Sequence, residues 1–256
     1  MITRMALASL LGLLAIAQSR EAQAVVCRTV TLMDATLQNS TLLNAKYIVC
    51  RVDLATETLR LHYTDAQGER LGSFAALQGS LAASGKTLAF AMNAGMFHPD
   101  FKPVGLLVID GKTITPINRR QGTGNFFLQP NGVFMLDASG ARVLSTEEFA
   151  GFSPRFATQS GPMLVHGGEI PAIPAFSPKS RSRHIRNGVC VKSKHLIAFV
   201  ISETRVSLYD FARFLQAELD CSEALYLDGT ISSLFAPPLK RADDHATLGP
   251  MFAVAE

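Results

Sequence analysis

The feature of this sequence that most limits its fold is a succession of short β-rich runs separated by tight-turn residues. Asp110-Gly111 and Asn131-Gly132 each separate two apolar runs, and Gly167-Gly168 follows another. Asn-Gly and Asp-Gly pairs readily adopt the positive φ angles of two-residue hairpin turns. A chain of such hairpins is predicted to form a largely antiparallel sheet. The predicted strands span residues 47–54, 58–63, 104–109, 113–117, 126–129, 133–136 and 163–165.

The last third of the chain has a different pattern, in which a helix lies between two strands. A continuous apolar run at 195–201 predicts a strand buried on both faces. Ser207 and Asp210 then supply an N-cap and an acidic first turn for a helix, and a second apolar run follows at 224–227. Such a βαβ unit makes its two strands parallel. We therefore expect a mixed α+β fold in a single domain: a hairpin-rich antiparallel sheet with a C-terminal βαβ crossover, and a further helix near 74–83.

The first 24 residues have the layout of a secretory signal peptide. Arg4 gives a positive start, residues 5–17 are apolar or small, and Ala22-Gln23-Ala24 is a candidate cleavage site. The apolar run would span about 20 Å as a helix, less than the ~30 Å hydrocarbon core of a bilayer. An uncleaved anchor is the alternative. We predict a signal peptide at 1–24, one domain at 25–256, and a periplasmic or secreted protein with no stable membrane insertion after cleavage.

Charge and motif content argue against several classes of function. The net charge of +3 gives no support to nucleic-acid binding. The sequence contains no P-loop, G-x-G-x-x-G or H-E-x-x-H motif, so nucleotide, dinucleotide and zinc-protease sites have no support. No cofactor is predicted. A divalent cation held by Asp228 or Glu203 is an open alternative, although no ligand spacing requires one.

The four cysteines form an even set in a chain that is predicted to be exported. Export to an oxidising compartment permits up to two disulfides, and three connectivities are open. Our hypothesis is the local pairing, Cys27 with Cys50 and Cys190 with Cys221, because the members of each pair lie on nearby segments.

Three apolar runs end in a polar residue beside a small or polar neighbour, at Asn93, Glu203 and Asp228. In open α/β sheets, ligands bind outside the carboxyl ends of the strands. If the three strands share a sheet and a direction, these residues converge on one cleft. The alternative for Asn93 and Asp228 is an ordinary turn.

A basic loop is the second candidate site. Arg183 and Arg186 are three residues apart and could grip a phosphate or carboxylate with their planar donors. A solvated basic loop is the alternative, which we favour for Lys179 and Arg181. Ser160 does not lie in a G-x-S-x-G elbow, so a serine nucleophile has little support.

Six short motifs occur in a fixed order along the chain. They are Asn93-Ala94-Gly95-Met96-Phe97, Gly124-Asn125-Phe126-Phe127, Pro130-Asn131-Gly132-Val133-Phe134, Gln159-Ser160-Gly161-Pro162, Arg186-Asn187-Gly188-Val189 and Leu227-Asp228-Gly229-Thr230-Ile231-Ser232. In this order they resemble the phosphodiester glycosidase family, most closely its bacterial exported members. The family includes an animal lysosomal enzyme that removes N-acetylglucosamine from a phosphodiester. The resemblance implies a hydrolase that cuts between the anomeric carbon of a sugar and the phosphate oxygen, in an envelope or extracellular glycan.

The resemblance and the residues together give a hypothesis for the site. Asp228 is the nucleophile or base, Glu203 is its partner or a sugar ligand, and arginines stabilise the leaving phosphate. The expected substrate-binding residues are Asn93, Gly95, Gln159, Ser160, Arg183, Arg186, Asn187 and Gly229. Two alternatives stay open. One is a non-catalytic module that binds a glycan or anionic polymer, and the other is a hydrolase of another ester that uses Ser160.

Overall fold

The computed structural model describes residues 25–32 and 44–256. The predicted signal peptide lies outside the described residues. In those two ranges, no helix combines the length and the apolar character needed to cross a membrane.

The largest sheet has six strands. They are β1 (Val26–Thr31), β2 (Lys46–Asp53), β10 (Met163–Val165), β11 (Asn187–Val191), β12 (Leu196–Ser202) and β13 (Glu223–Asp228). Their order across the sheet is β1-β2-β12-β11-β13-β10, and each strand is antiparallel to its neighbours.

Two further sheets have five strands each. The second sheet contains β3 (Leu59–His62), β4 (Leu88–Asn93), β14 (Leu234–Ala236), β15 (Arg241–Ala242) and β16 (Met251–Ala255), in the order β15-β14-β4-β16-β3. The third contains β5 (Leu107–Ile109), β6 (Lys112–Thr115), β7 (Gly132–Asp137), β8 (Gly140–Ser145) and β9 (Phe156–Ser160), in the order β6-β5-β9-β7-β8. All of their pairings are antiparallel, as the hairpin signals predicted.

The helices are few and short. Helix α1 spans Phe74–Ala82, and α2 spans Leu208–Arg213 and continues as a π-helical turn, Phe214–Glu218. Single 3-10 turns lie at Asn125–Phe127, Pro174–Phe176 and Pro237–Leu239. Ser207 and Asp210 form a capping box at the start of α2, which confirms the predicted helix start.

An aromatic cluster at the centre joins the three sheets. Phe199 comes from the first sheet, Phe252 from the second and Phe134 from the third, and all three are fully buried. Their ring centroids lie 5.0 to 6.0 Å apart. The opposite face of the first sheet is covered by α2, whose Phe211 packs with Tyr47 in a second core. β12 is therefore buried on both faces, as the run at 195–201 predicted.

The predicted βαβ crossover is not formed as a parallel pair of neighbouring strands. Helix α2 does connect β12 to β13, but β11 lies between these strands and pairs antiparallel with both. The crossover therefore passes over one strand. β12 and β13 do run in the same direction, as predicted, but they are not hydrogen-bonded neighbours. An antiparallel sheet that is covered on both faces also has continuous apolar runs, so the runs did not reveal the strand between them.

The hairpin predicted across Asn131-Gly132 is wrong. Residues 125–127 form a 3-10 turn, and Gly132 is the first residue of β7, where it pairs with both Ser145 and Ser160. A Cβ at Gly132 would lie 2.7 Å from the Leu144 carbonyl oxygen. Close packing between strands, not a turn, requires this glycine.

The predicted disulfide pairing is confirmed. Cys27 on β1 bonds Cys50 on β2, and Cys190 on β11 bonds Cys221, which lies shortly before β13. Both bonds join segments that are neighbours in the first sheet.

Removing the second disulfide with a Cys190→Ala, Cys221→Ala double variant is expected to destabilise the fold. The free energy of unfolding should fall by about 2–4 kcal/mol, because opening the covalent loop frees the unfolded chain. Urea unfolding under non-reducing conditions measures the loss, with a Cys27→Ala, Cys50→Ala variant as the matched comparison. An unchanged urea midpoint would contradict the assignment.

Candidate functional site

A cavity of about 450 Å3 opens where β13 ends. Asp228, the last residue of β13, lies on its wall together with Gly229 and Thr230. We name it the Asp228 cavity. The remaining wall residues are Met96, Phe97, His98, Val104, Thr123, Gly124, Asn125, Phe126, Phe127, His184, Tyr226 and Ile231. The cavity thus combines one carboxylate with several aromatic rings.

The Asp228 carboxyl group is held by the turn that follows it. Its Oδ1 accepts hydrogen bonds from the backbone N–H groups of Gly229 and Ile231, at 2.5 and 3.4 Å. Its Oδ2 accepts no hydrogen bond from the residues that the structure describes, so it is free to meet a ligand. Burial raises the pKa of Asp228, and the backbone N–H bonds partly oppose that effect.

The backbone of Asp228 is positioned by two buried asparagines. Asn187 Oδ1 accepts from the Asp228 N–H at 3.0 Å and from the Ser232 hydroxyl at 3.2 Å. Asn187 Nδ2 donates to Asn93 Oδ1 at 2.9 Å, and that oxygen also accepts from the Ser233 N–H at 2.8 Å. Asn93 ends β4, which belongs to the second sheet, whereas Asp228 ends β13 in the first. The strands therefore do not share one sheet, as the prediction had assumed, although the ends of β4 and β13 do meet. Neither asparagine lines the cavity: Asn187 holds the Asp228 backbone, and Asn93 holds Asn187.

Gln159 was predicted to contact substrate, but its amide is fully used inside the protein. Its Oε1 accepts from the N–H groups of Leu106 and Asn118, at 3.1 and 2.8 Å. Its Nε2 donates to the Asn118 carbonyl at 2.7 Å and to the Thr146 hydroxyl at 3.1 Å. The side chain therefore fastens the loop that contains Asn118 to β9.

Gly95 and Ser160 also support the site from behind. A Cβ at Gly95 would lie 2.3 Å from the Thr158 hydroxyl, which accepts a hydrogen bond from the Gly95 N–H. The Ser160 hydroxyl is fully buried and donates to the Leu227 carbonyl at 2.9 Å. Neither residue lines the Asp228 cavity. This placement gives no support to Ser160 as a nucleophile.

The two arginines predicted to bind phosphate are engaged internally. Arg186 is 2% exposed and donates to the carbonyls of Val206 and Ser182 and to the Tyr226 hydroxyl, at 2.8, 3.1 and 3.0 Å. Arg183 pairs at 2.8 Å with Asp210, the acidic member of the α2 capping box. Neither arginine lines the Asp228 cavity.

Tyr226 was not predicted from the sequence, although it is one of the residues that line the cavity; its side chain is fully buried. The hydroxyl accepts from Arg186 at 3.0 Å, and the Asn125 side chain is a further hydrogen-bond partner. Burial, with a contribution from Asp228, raises the pKa of Tyr226 to about 12 against the opposing effect of Arg186, so the phenol is neutral at physiological pH. Side chains of a strand alternate between faces, so its position two residues before Asp228 was a usable signal.

Gly229 allows the Tyr226 hydroxyl to lie against the turn that follows Asp228. A Cβ at Gly229 would be 2.3 Å from that hydroxyl oxygen, and the next nearest atom, Cζ of the same tyrosine, would be 3.6 Å away. Among the predicted substrate-binding residues, Gly229 is the one that lines the cavity.

Glu203 lies in an adjoining cavity of about 600 Å3, which we name the Arg205 cavity. Its carboxylate is 3.6 Å from the Arg241 guanidinium. The complete wall is formed by His184, Ile185, Ser202, Glu203, Arg205, Gly229, Thr230, Ser232, Arg241, Asp243 and His245. The predicted carboxylate pair is thus divided between two cavities that share a wall. Within 25–32 and 44–256, no three His, Cys, Asp or Glu side chains are grouped so that they could hold a metal ion.

Comparison with known proteins identifies relatives by sequence. Residues 86–250 match the sequence model of a family described as phosphodiester glycosidase. A protein of Escherichia coli (strain K12), named uncharacterized protein YigE, is 34% identical over 203 residues, which are 79% of this chain and 78% of that protein.

Two solved structures share the fold. One is the zebrafish N-acetylglucosamine-1-phosphodiester alpha-N-acetylglucosaminidase catalytic domain, auto-inhibited by its pro-peptide; its TM-score is 0.64 at 14% identity, covering 93% of this chain and 85% of that one. The other, a hypothetical protein from Synechocystis, has a TM-score of 0.57 at 14% identity, covering 91% and 62%. At this identity the likeness shows the fold alone.

A double-mutant cycle tests the packing of Gly229 against Tyr226. Gly229→Ala is expected to destabilise the fold by about 1–3 kcal/mol, because the new methyl group overlaps the hydroxyl. In a Tyr226→Phe background the same change should cost less, since the overlapping atom is gone. Urea unfolding measures all four proteins. Gly79→Ala is the control, because a Cβ there has nothing within 4 Å; equal costs in both backgrounds would contradict the contact.

Proposed function

Because this chain belongs to the phosphodiester glycosidase family, we propose that it hydrolyses a sugar-1-phosphodiester at the bond between the anomeric carbon and the phosphate oxygen. The observation that carries the proposal is the position of the Asp228 carboxyl on the wall of an aromatic cavity. One of its two oxygens, Oδ2, accepts no hydrogen bond from the residues that the structure describes. By its name, the zebrafish enzyme of similar fold acts on an N-acetylglucosamine-1-phosphodiester.

The sugar is assigned to the Asp228 cavity. Its volume of about 450 Å3 is within the range of small-molecule sites, about 300–1,000 Å3. Phe97 and Phe127 line it, and aromatic rings offer apolar faces against which the C–H face of a sugar can pack.

Asp228 is assigned to the chemistry. As the bond to phosphate breaks, the anomeric carbon gains positive charge, which a carboxylate beside it stabilises. Asp228 Oδ2 either attacks that carbon and is later displaced by water, or takes a proton from a water molecule that attacks. In both routes the phosphate leaves with the electron pair of the broken C–O bond, and water supplies the new hydroxyl group. The leaving phosphate is a weak base, so its charge needs stabilisation more than it needs a strong acid.

We also propose that the protein acts outside the cytoplasm, on an envelope or extracellular glycan, after export directed by residues 1–24. The two disulfides support this location, since such bonds persist mainly in oxidising compartments. Cleavage of the predicted signal after Ala24 would leave a mature chain that begins at Val25.

Hydrolysis of a panel of sugar-1-phosphate diesters by the purified mature protein tests the reaction. We expect free sugar from the wild type, and a loss of at least about 100-fold in kcat/KM for Asp228→Asn. Ser160→Ala is the matched control and should keep its activity. Full activity in a folded Asp228→Asn variant would remove the assignment. If no diester is cleaved while glycan binding is intact, the chain is a binding module instead.

The raised pKa of Asp228 predicts a pH-dependent gain in stability for Asp228→Asn. Because the folded-state pKa lies above that of the unfolded chain, ionisation of this carboxyl destabilises the fold as the pH rises through the folded-state pKa. At neutral pH the variant should therefore melt at a higher temperature than the wild type, and at about pH 3, where an ordinary Asp is largely protonated, the gap should close. Thermal melts at both pH values measure it. A variant that melts lower at neutral pH would contradict the burial of a free charge.

A further inference from the structure

A second cavity, the Arg205 cavity, adjoins the Asp228 cavity. His184, Gly229 and Thr230 line both this cavity and the Arg205 cavity. The two cavities therefore adjoin along the turn that begins with Gly229. A substrate that spans the turn would place one part in each cavity.

The two cavities differ in the chemistry of their walls. The Asp228 cavity is lined mainly by aromatic and other uncharged groups around one carboxylate. The Arg205 cavity contains two arginines, two histidines and two carboxylates. The first suits a sugar ring and the second suits a charged group.

Most of the charge in the Arg205 cavity is already paired, with one exception. Arg241 is held by Asp243 at 2.9 Å and by Glu203 at 3.6 Å. Arg205 is exposed, and in the part of the chain that the structure describes no carboxylate lies within 4.0 Å of its guanidinium. Arg205 is thus a cation available to a ligand. His184 and His245 are exposed on the same wall, and an imidazole ring can donate a hydrogen bond in either protonation state.

The two arginines of the basic loop, Arg183 and Arg186, differ from Arg205 because they are paired inside the protein. Arg183 and Arg186 have the predicted charge, but Asp210, main-chain carbonyls and Tyr226 use their donors. Arg205 follows β12 and lines the Arg205 cavity but not the aromatic Asp228 cavity.

We propose that the Arg205 cavity is the subsite for the phosphate of the substrate, with Arg205 as its principal ligand and His184 and His245 as supporting donors. The inference rests on the proposed function and extends it. The anomeric carbon lies on the Asp228 side and the phosphate on the Arg205 side, so the bond that breaks passes over Gly229 and Thr230. Glu203, the second predicted catalytic residue, has the role of holding Arg241 in the wall of this subsite.

Binding of inorganic phosphate tests the subsite without relying on hydrolysis. Calorimetric titration of the wild type is expected to show binding that weakens at least about 10-fold in Arg205→Ala, because a charge-assisted pair with the anion is lost. Binding should also weaken as salt is added. Arg51→Ala, an exposed arginine on β2 that lines neither cavity, is the matched control. Arg183→Ala tests the basic loop.

The outcomes separate this inference from the proposed reaction. Phosphate binding that depends on Arg205, in a protein that cleaves no diester, supports the subsite and removes the hydrolase. Diester cleavage that depends on Asp228, with phosphate affinity unchanged in Arg205→Ala, supports the hydrolase and overturns the subsite. Loss of phosphate binding in Arg183→Ala alone, or no phosphate binding by the wild type, also overturns it.

Discussion

The hydrogen bond between the side chains of Asn187 and Asn93 is the contact on which the site depends. It joins the first sheet to the second at the point where β13 ends, and the same Asn187 side chain fixes the Asp228 N–H. Buried polar groups are costly when unpaired, so this pair allows little freedom in how the two sheets meet. The position of the Asp228 carboxyl, and of the turn that separates the two cavities, follows from that junction.

A second constraint acts on the cavity wall through Arg186. Its guanidinium is buried, and three hydrogen bonds, one of them to the Tyr226 hydroxyl, offset the cost of burying it. The arrangement fixes the Tyr226 hydroxyl beside Gly229, where the cavity wall turns away from β13. If the proposed function is correct, Arg186 of the basic loop positions Tyr226 at the sugar cavity, and the exposed Arg205 supplies the positive charge at the phosphate cavity.

Local signals predicted the local features of the fold. The capping box of α2, the antiparallel pairing and both disulfides were accessible because each depends on residues close in sequence or on a simple period. Asp228 was accessible because a polar residue that ends a buried strand is conspicuous. The insertion of β11 between β12 and β13 was not, since strand order depends on long-range packing. For the same reason a charged loop did not reveal that Arg183 and Arg186 would be engaged internally while Arg205 stayed open.

The central claim is that the bond between carbon and oxygen breaks beside Asp228, rather than the bond between phosphorus and oxygen. Hydrolysis of a sugar-1-phosphodiester in water labelled with heavy oxygen, followed by mass spectrometry of both products, tests this directly. We expect the label to enter the sugar at its anomeric carbon and the released phosphate to be unlabelled. Label in the phosphate would mean attack at phosphorus and would contradict the role given to Asp228.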